Sequence, residues 1–290
     1  MLKAQRFRPA LEGDQVAPAP VAFLKLMESD EVPGVRVRAM FQGRRYETVT
    51  DREGYFHFDL TVRKGSVGWQ EVDLEPKATG RVLLPSPRAR FGVISDIDDT
   101  LIPSGATKKL RMVIRLALSN PLTRKPFEGV AEFYRALHAG VNPLFYVSKS
   151  PWNLYLPLLE LLKTQRIPLG PLLLRDFGLH LFRRGRQQHK LLQIERILAS
   201  CRALPFVLIG DSGEQDPEIY SEIVRRHPRR IRVIYIRAID PDSARLAAIG
   251  QLAAQVRRTD CQLVLVPDTA YAAAHAAGEG LIRKLSARSA

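Results

Sequence analysis

The chain is poor in cysteine. Cys201 and Cys261 are too few for a disulfide framework, and neither has the neighbouring Cys or His that a zinc site requires. Long apolar runs are also missing: nothing approaches the roughly 18 uninterrupted apolar residues of a membrane span. The leucine-rich stretch Leu154–Leu162 is short and contains Pro157 and Glu160, so it reads as a buried helix. Residues 1–20 mix Lys3, Arg6, Arg8, Glu12 and Asp14 with prolines and lack the apolar segment of a secretory signal. The expectation is a polar N-terminal tail on a cytoplasmic protein. No internal repeat is evident.

Acid is in deficit. Thirty Asp+Glu stand against 44 Lys+Arg, giving a net charge of +14 and a pI near 10.1. Such a surface attracts polyanions, whether nucleic acid, an anionic membrane surface or a phosphorylated small molecule. Arg183, Arg184 and Arg186 form one basic cluster, and Arg225, Arg226, Arg229, Arg230 and Arg232 a second. Taken singly, each reads as solvated surface. A hydrophobic content of 46% in 290 residues suffices for one large domain and a small one.

From Val21 to about Pro85 the pattern has period two, in 35–41, 45–50 and 54–60, with Asp51–Gly54 as a turn and Gly43 and Gly80 as punctuation. This predicts a small antiparallel β-sandwich over residues 21–87, following the tail of residues 1–20. Beyond Phe91 apolar strands alternate with helical patterns, which predicts an α/β domain over 88–290 built on a parallel sheet. The strand candidates are 91–95, 143–148, 206–210, 231–236 and 262–266, the last followed by a helix over 269–277. Lys108–Ser119 reads as an ordinary surface helix inserted after the first of these strands.

The chemistry is concentrated at strand ends. Phe-Gly-Val-Ile-Ser stops abruptly on Asp96, Asp98, Asp99 and Thr100. Carboxylates so close together repel one another unless a cation sits among them, and a hard divalent ion such as Mg²⁺ suits their oxygens. Ser148 closes the second strand, where a hydroxyl and backbone N–H groups can hold phosphate oxygens. Lys190 opens the helical pattern Lys-Leu-Leu-Gln-Ile-Glu-Arg-Ile-Leu, and its ammonium suits both a phosphate and a carboxylate nucleophile. Gly210-Asp-Ser-Gly-Glu-Gln-Asp216 follows another apolar strand, which puts Asp211 and Asp216 within reach of the metal that Asp96 binds.

This set, Asp-x-Asp-x-Thr, then Ser, Lys and Gly-Asp-x-x-x-x-Asp, resembles the four motifs of the haloacid dehalogenase (HAD-like) superfamily. Longer strings narrow the resemblance: Ser95–Thr100, Phe145–Tyr155, Gly170–Asp176 and Phe206–Tyr220 are similar to the catalytic domain of the actin-patch-protein phosphatidate phosphatase family. The similarity spans about residues 90–240. It implies a HAD-like Rossmannoid parallel sheet with helices on both faces, preceded by the β-sandwich. Lys149 departs from the pattern, since such proteins often carry a small polar residue there; it adds a cation beside the phosphate site.

By this resemblance Mg²⁺ is held by the Asp96 carboxylate, the Asp98 main-chain carbonyl and Asp211, with Asp216 in support. Asp96 is then the nucleophile and Asp98 the general acid and base. Thr100 and Ser148 position the acid and the phosphate, and Lys149 joins the substrate-binding set. The implied substrate is phosphatidate, a phosphorylated lipid, with peripheral contact to an anionic membrane surface. Trp152 suits such an interface but reads as core. Two other readings stay open: a soluble phosphomonoester as substrate, or a basic polyanion-binding protein with a vestigial site. Against the latter, no nucleic-acid recognition motif is present. The whole reading requires Asp96 and Asp211 to converge at one rim of the sheet.

Overall fold

In the computed structural model, residues 2–3, 32–52, 54–63, 65–75, 78–101, 127–175 and 186–283 are described. Of the expected 1–20 tail only Leu2–Lys3 are described, and they pair as a short strand; the rest of the tail, the Lys108–Ser119 helix and Arg183 and Arg184 lie outside these residues. The chain divides into two compact units, Met1–Pro87 and Arg88–Ala290.

The first unit is antiparallel. Its strands are β1 (Leu2–Lys3), β2 (Arg36–Phe41), β3 (Arg44–Val49), β4 (Tyr55–Phe56), β5 (Gly68–Glu75) and β6 (Ala78–Leu84). They form a four-stranded sheet in the order β3-β2-β5-β6 and a separate β1-β4 ladder. Strand alternation explains β2: Val37, Ala39 and Phe41 are buried, while Arg38 points outward to Glu47 at 3.1 Å and Glu75 at 3.4 Å, its partners in register on β3 and β5. Gln42 and Gly43 join β2 to β3 with φ of 50° and 77°, the double positive φ that a two-residue hairpin turn requires. Of the expected 54–60 strand, only Tyr55–Phe56 pairs. The two longest strands, β5 and β6, come from a segment with weak alternation, in which Val72 is the single fully buried side chain of β5.

The second unit carries β7 (Gly92–Ser95), α1 (Val130–His138), β8 (Leu144–Pro151), α2 (Tyr155–Thr164), β9 (Leu172–Arg175), α3 (Arg186–Ser200), β10 (Phe206–Asp211), α4 (Asp216–Arg226), β11 (Ile231–Arg237), α5 (Ser243–Val256), β12 (Gln262–Val266) and α6 (Thr269–Gly278). Six strands pair in parallel in the order β12-β11-β10-β7-β8-β9. All five strands expected from the sequence are present. The edge strand β9 is an addition; it is four residues long and follows Pro168, Gly170 and Pro171.

Helices cover both faces. On one, Ile194, Ile197 and Leu198 of α3, Ile219 and Ile223 of α4, and Ile249 of α5 pack with Ile94, Phe145, Phe206, Leu208, Ile234 and Ile236 of the sheet. On the other, Phe133 of α1 meets Tyr235 of β11 edge to face, with centroids 6.1 Å apart. The strands read as near-continuous apolar runs because they are buried on both faces. The strand order places the topological switch between β7 and β10, where open parallel sheets form their ligand crevice beyond the carboxyl ends of the strands. Among the described residues no helix is long and apolar enough to cross a membrane.

Candidate active site

Asp96 follows β7 directly, and its N–H donates to the Ile209 carbonyl of β10 at 2.9 Å, so the sheet ladder fixes its backbone. Ser95 Oγ donates to the Asp96 carbonyl at 2.6 Å and therefore accepts from the Tyr134 hydroxyl at 2.7 Å. The chain then turns through Asp99, whose φ of 52° lies in the left-handed region that aspartate tolerates better than most residues. On the neighbouring strand, β10 ends in Gly210-Asp211. Asp216 starts α4 and folds back, its Oδ2 accepting from the Asp211 N–H at 3.3 Å.

Lys190, one turn into α3, reaches into this crevice and is completely buried. Its Nζ lies 2.9 Å from Asp96 Oδ1 and 2.5 Å from Asp216 Oδ1. Carboxylate oxygens of Asp96, Asp211 and Asp216 all fall within 4.8 Å of one another. Two of the remaining oxygens, Asp96 Oδ2 and Asp211 Oδ2, are buried without a hydrogen-bond partner, and so is Thr100 Oγ1. A buried carboxylate oxygen left unpaired is costly, and a hard cation ligated by oxygen is the group whose chemistry satisfies it. The donor set therefore fits a divalent ion such as Mg²⁺.

The electrostatics agree. Burial pushes the Asp96 carboxyl well above the usual range, opposed by Lys190. Burial, then the charges of Asp216 and Glu214, push Asp211 up to about 7. Burial disfavours the Lys190 ammonium, yet Asp216 and Asp96 hold its pKa well above the ordinary lysine value. Five carboxylates, Asp96, Asp98, Asp211, Glu214 and Asp216, face two ammonium groups, Lys149 and Lys190. Among the described residues the carboxylates outnumber the ammonium groups here, in a basic protein.

Asp98 stands apart from the acidic cluster. Its Oδ2 accepts from Ser148 Oγ at 3.0 Å and from Ser150 Oγ at 3.2 Å, while Ser148 Oγ accepts from the Ser150 N–H at 2.9 Å. Burial raises the Asp98 pKa and these two hydroxyls lower it, leaving it above the ordinary carboxylate value. Ser148 thus touches the Asp98 carboxylate here. Lys149, the next residue of β8, pairs with Glu214 Oε2 at 2.8 Å.

Three residues of the site escape a reading of the sequence. Ser150 doubles the hydroxyl contact to Asp98. Glu214 bridges Lys149 and Lys190; burial works against its charge, but Lys190 and Lys149 hold its pKa below the usual range. Arg245 of α5 clamps the loop between β10 and α4, donating from Nε to the Ser212 carbonyl at 2.8 Å and from Nη2 to the Glu214 carbonyl at 2.5 Å, while its Nη1 pairs with Glu218 Oε1. Glu214 stands in plain view inside Gly210–Asp216, yet a glutamate in a turn carries no signal of its own. Arg245 lies on a later helix, and only the fold brings it to the loop.

Residues 91–238 match the family described as phosphatidate phosphatase APP1, catalytic domain. The chain belongs to this family. The match to the APP1 catalytic domain takes in every site residue from Asp96 to Asp216 and leaves Arg245 outside. Phosphatidate phosphatase APP1 of Saccharomyces cerevisiae is 34% identical over 152 residues, 51% of this chain and 26% of its own length. An uncharacterised protein of Schizosaccharomyces pombe is 30% identical over 215 residues, 68% of this chain and 35% of its own. The chain thus spans about a third or less of the length of these curated relatives. Among solved structures, a HAD family hydrolase from Deinococcus radiodurans R1 with bound phosphate and sodium is 16% identical with a TM-score of 0.38, covering 68% of this chain and 100% of its own. A putative HAD-like phosphatase from Mesorhizobium loti is 16% identical with a TM-score of 0.35, covering 62% and 90%.

The second arginine cluster of this APP1-type chain lies away from the site. Arg225 and Arg226 end α4, and Arg229, Arg230 and Arg232 surround the start of β11, at the opposite rim of the sheet and about 20 Å from the acidic crevice. Arg225 and Arg226 pair with Glu222, Arg226 also with Glu195, and Arg230 Nη2 donates to the carbonyls of Leu198, Cys201 and Leu204. Trp152, read from the sequence as core, is only half-buried. It stacks on Tyr155 with centroids 6.1 Å apart, beside the exposed Leu156.

Proposed function

We propose that this chain is a Mg²⁺-dependent phosphatase that hydrolyses phosphatidate to diacylglycerol and phosphate through an aspartyl-phosphate on Asp96. The observation that carries the reading is Lys190, buried between Asp96 and Asp216 with Asp96 Oδ2 and Asp211 Oδ2 unpaired beside it. That is the arrangement of a nucleophile held by one cation and ready to accept a second. When bound, Mg²⁺ on Asp96, Asp211, Asp216 and the Asp98 carbonyl would supply the charge that lets a carboxylate meet a phosphate dianion.

The chain's own residues do the rest. Lys190 orients Asp96, whose oxygen forms a bond to phosphorus as the ester P–O bond breaks. Asp98, protonated more readily than an ordinary aspartate and aimed by Ser148 and Ser150, gives its proton to the leaving alkoxide. It then takes a proton from the water that opens the acyl phosphate, returning Asp96 to its starting state. Thr100 and Lys149 complete the surroundings of the phosphate.

The lipid substrate is supported by the family match and by Trp152, Tyr155 and Leu156, an apolar group on the turn that follows the site end of β8. Such side chains suit peripheral contact with an anionic membrane surface from the cytoplasmic side. The test is phosphate release from phosphatidate in mixed micelles, with Mg²⁺ or EDTA, against a panel of soluble phosphomonoesters. Phosphatidate should be preferred, metal removal should stop the reaction, and Asp96→Asn should abolish it without unfolding the protein. Equal rates on glycerol phosphate would move the assignment to a soluble substrate, and substantial turnover by Asp96→Asn would remove the covalent route.

A further inference from the structure

We propose that Glu214 is the resident occupant of an anion site made by Lys149 and Lys190, and that the substrate's phosphate group displaces it. The inference rests on the phosphatase reading above. A single carboxylate oxygen, Glu214 Oε2, stands 2.8 Å from Lys149 Nζ and 3.7 Å from Lys190 Nζ. The three groups come from separate elements: Lys149 from β8, Lys190 from α3, and Glu214 from the loop between β10 and α4. They converge beside the proposed nucleophile, because the same Lys190 Nζ touches Asp96. An oxygen anion between two ammonium groups, one of them in contact with the nucleophile, occupies the kind of place that a phosphate oxygen takes.

Exposure shows which member is able to leave. Lys190 is 1% exposed and fixed, whereas Glu214 is 32% exposed and lies on the solvent side. The Glu214 backbone is tied at both ends: its N–H donates to Asp211 Oδ1 at 2.9 Å, and its carbonyl accepts from Arg245. The side chain can therefore rotate outward while the loop that carries Asp211 and Asp216 stays in place. Charge favours the exchange. A phosphomonoester dianion entering a crevice already rich in carboxylates meets less repulsion if one carboxylate withdraws as it arrives, and both lysines then have a doubly charged partner.

The competing account makes Glu214 a strut that positions Lys149, and the two accounts predict opposite signs. Inorganic phosphate binding to the full chain with Mg²⁺, measured by calorimetry, separates them. Glu214→Gln should tighten phosphate about tenfold, an effect of the size that removing one close like charge produces. Glu214→Asp should tighten it as well, because the shorter side chain keeps its charge but withdraws its oxygen from between the lysines. Lys149→Met should weaken phosphate, and in that background Glu214→Gln should lose most of its gain.

Weaker or unchanged binding by Glu214→Gln overturns the proposal. So does a gain that persists in full without Lys149, or wild-type binding by Glu214→Asp, since either outcome reduces Glu214 to a background charge. Wild-type turnover of phosphatidate on the same preparation keeps the two readings distinct. An active enzyme whose Glu214→Gln variant binds phosphate no tighter removes the placeholder alone. A wild type that neither releases phosphate from phosphatidate nor binds inorganic phosphate removes the phosphatase reading, and this inference with it.

Discussion

Gly210 leaves the space that the Asp216 side chain fills. A Cβ on Gly210 would stand 2.8 Å from Asp216 Cβ and Cγ and overlap Asp216 Oδ2, the atom that accepts from the Asp211 N–H. Gly210→Ala must therefore push Asp216 off Asp211 and off Lys190. Overpacking of this kind costs about 1–3 kcal/mol of stability. Urea unfolding should show a loss in that range, and phosphate release should fall at least tenfold, because two of the three clustered carboxylates lose their mutual register. Wild-type values in both measurements would mean that helix α4 can retreat without consequence for the site.

How far the sequence exposes this architecture depends on where each side chain takes its position. Asp96 and Asp211 are legible because each ends an apolar run that can only be a strand buried on both faces, and parallel strands bring their carboxyl ends to one rim. Lys190 is legible as a cation near the start of an amphipathic helical pattern, although the helix itself begins one turn earlier, at Arg186. The partners of Asp98 are half legible: the sequence places Ser148 at a strand end, but β8 runs on to Pro151, and Ser150 lies in that extension, where the β8–β9 pairing is irregular. Arg245 has no local signature, since its long side chain reaches the loop from another helix. In the first unit, β5 lies inside the sheet between β2 and β6, and β6 lies at its edge; both are largely polar, and their place follows from pairing more than from periodicity.

A metal held by Asp211 would compete there with a proton. Burial, Asp216 and Glu214 raise its carboxyl to about 7 in the absence of metal, against an ordinary value of 3.8. Between those values the folded chain holds a proton that the unfolded chain releases, so this group's contribution is fully present below the ordinary value and is lost as pH rises through about 7. Mg²⁺ held by Asp211 would displace that proton and so bind more tightly as pH rises. Thermal unfolding in EDTA should show stability falling between about pH 5 and pH 8, and the gain in Tm from Mg²⁺ should be larger at about pH 8 than at about pH 6. A gain independent of pH would exclude Asp211 from the metal's ligands.

Asp98 offers a separate titration. Its two hydroxyl contacts, from Ser148 and Ser150, both lower its pKa against the effect of burial. Ser150→Ala removes one of them and leaves the Ser150 N–H on Ser148 Oγ untouched. The Asp98 pKa therefore rises, and an acid that must be protonated to act stays protonated to higher pH. The alkaline limb of kcat/KM should move upward in Ser150→Ala, with kcat reduced by less-constrained aim of the carboxyl group. A limb that stays in place or moves downward would assign the acid to another group.

Arg245 acts on the site through the loop it holds. Its guanidinium spans the Ser212 carbonyl, the Glu214 carbonyl and the Glu218 carboxylate, and the Ser212 hydroxyl in turn accepts from the Ile239 N–H at 2.8 Å. Lysine keeps the charge but cannot reproduce a planar fork with three separate acceptors. Arg245→Lys should thus leave Asp211 and Asp216 chemically intact while loosening their separation. Changes behind a metal's direct ligands typically cost about 10–100-fold in metal affinity. The expected result is a rise of about tenfold in the Mg²⁺ concentration giving half-maximal phosphate release, with kcat at saturating Mg²⁺ reduced by about threefold or less. A Mg²⁺ titration checks both at once: a kcat loss with an unchanged metal requirement would place Arg245 in the chemistry, and no change in either would leave the loop to hold its shape through Gly210 and the start of α4 alone.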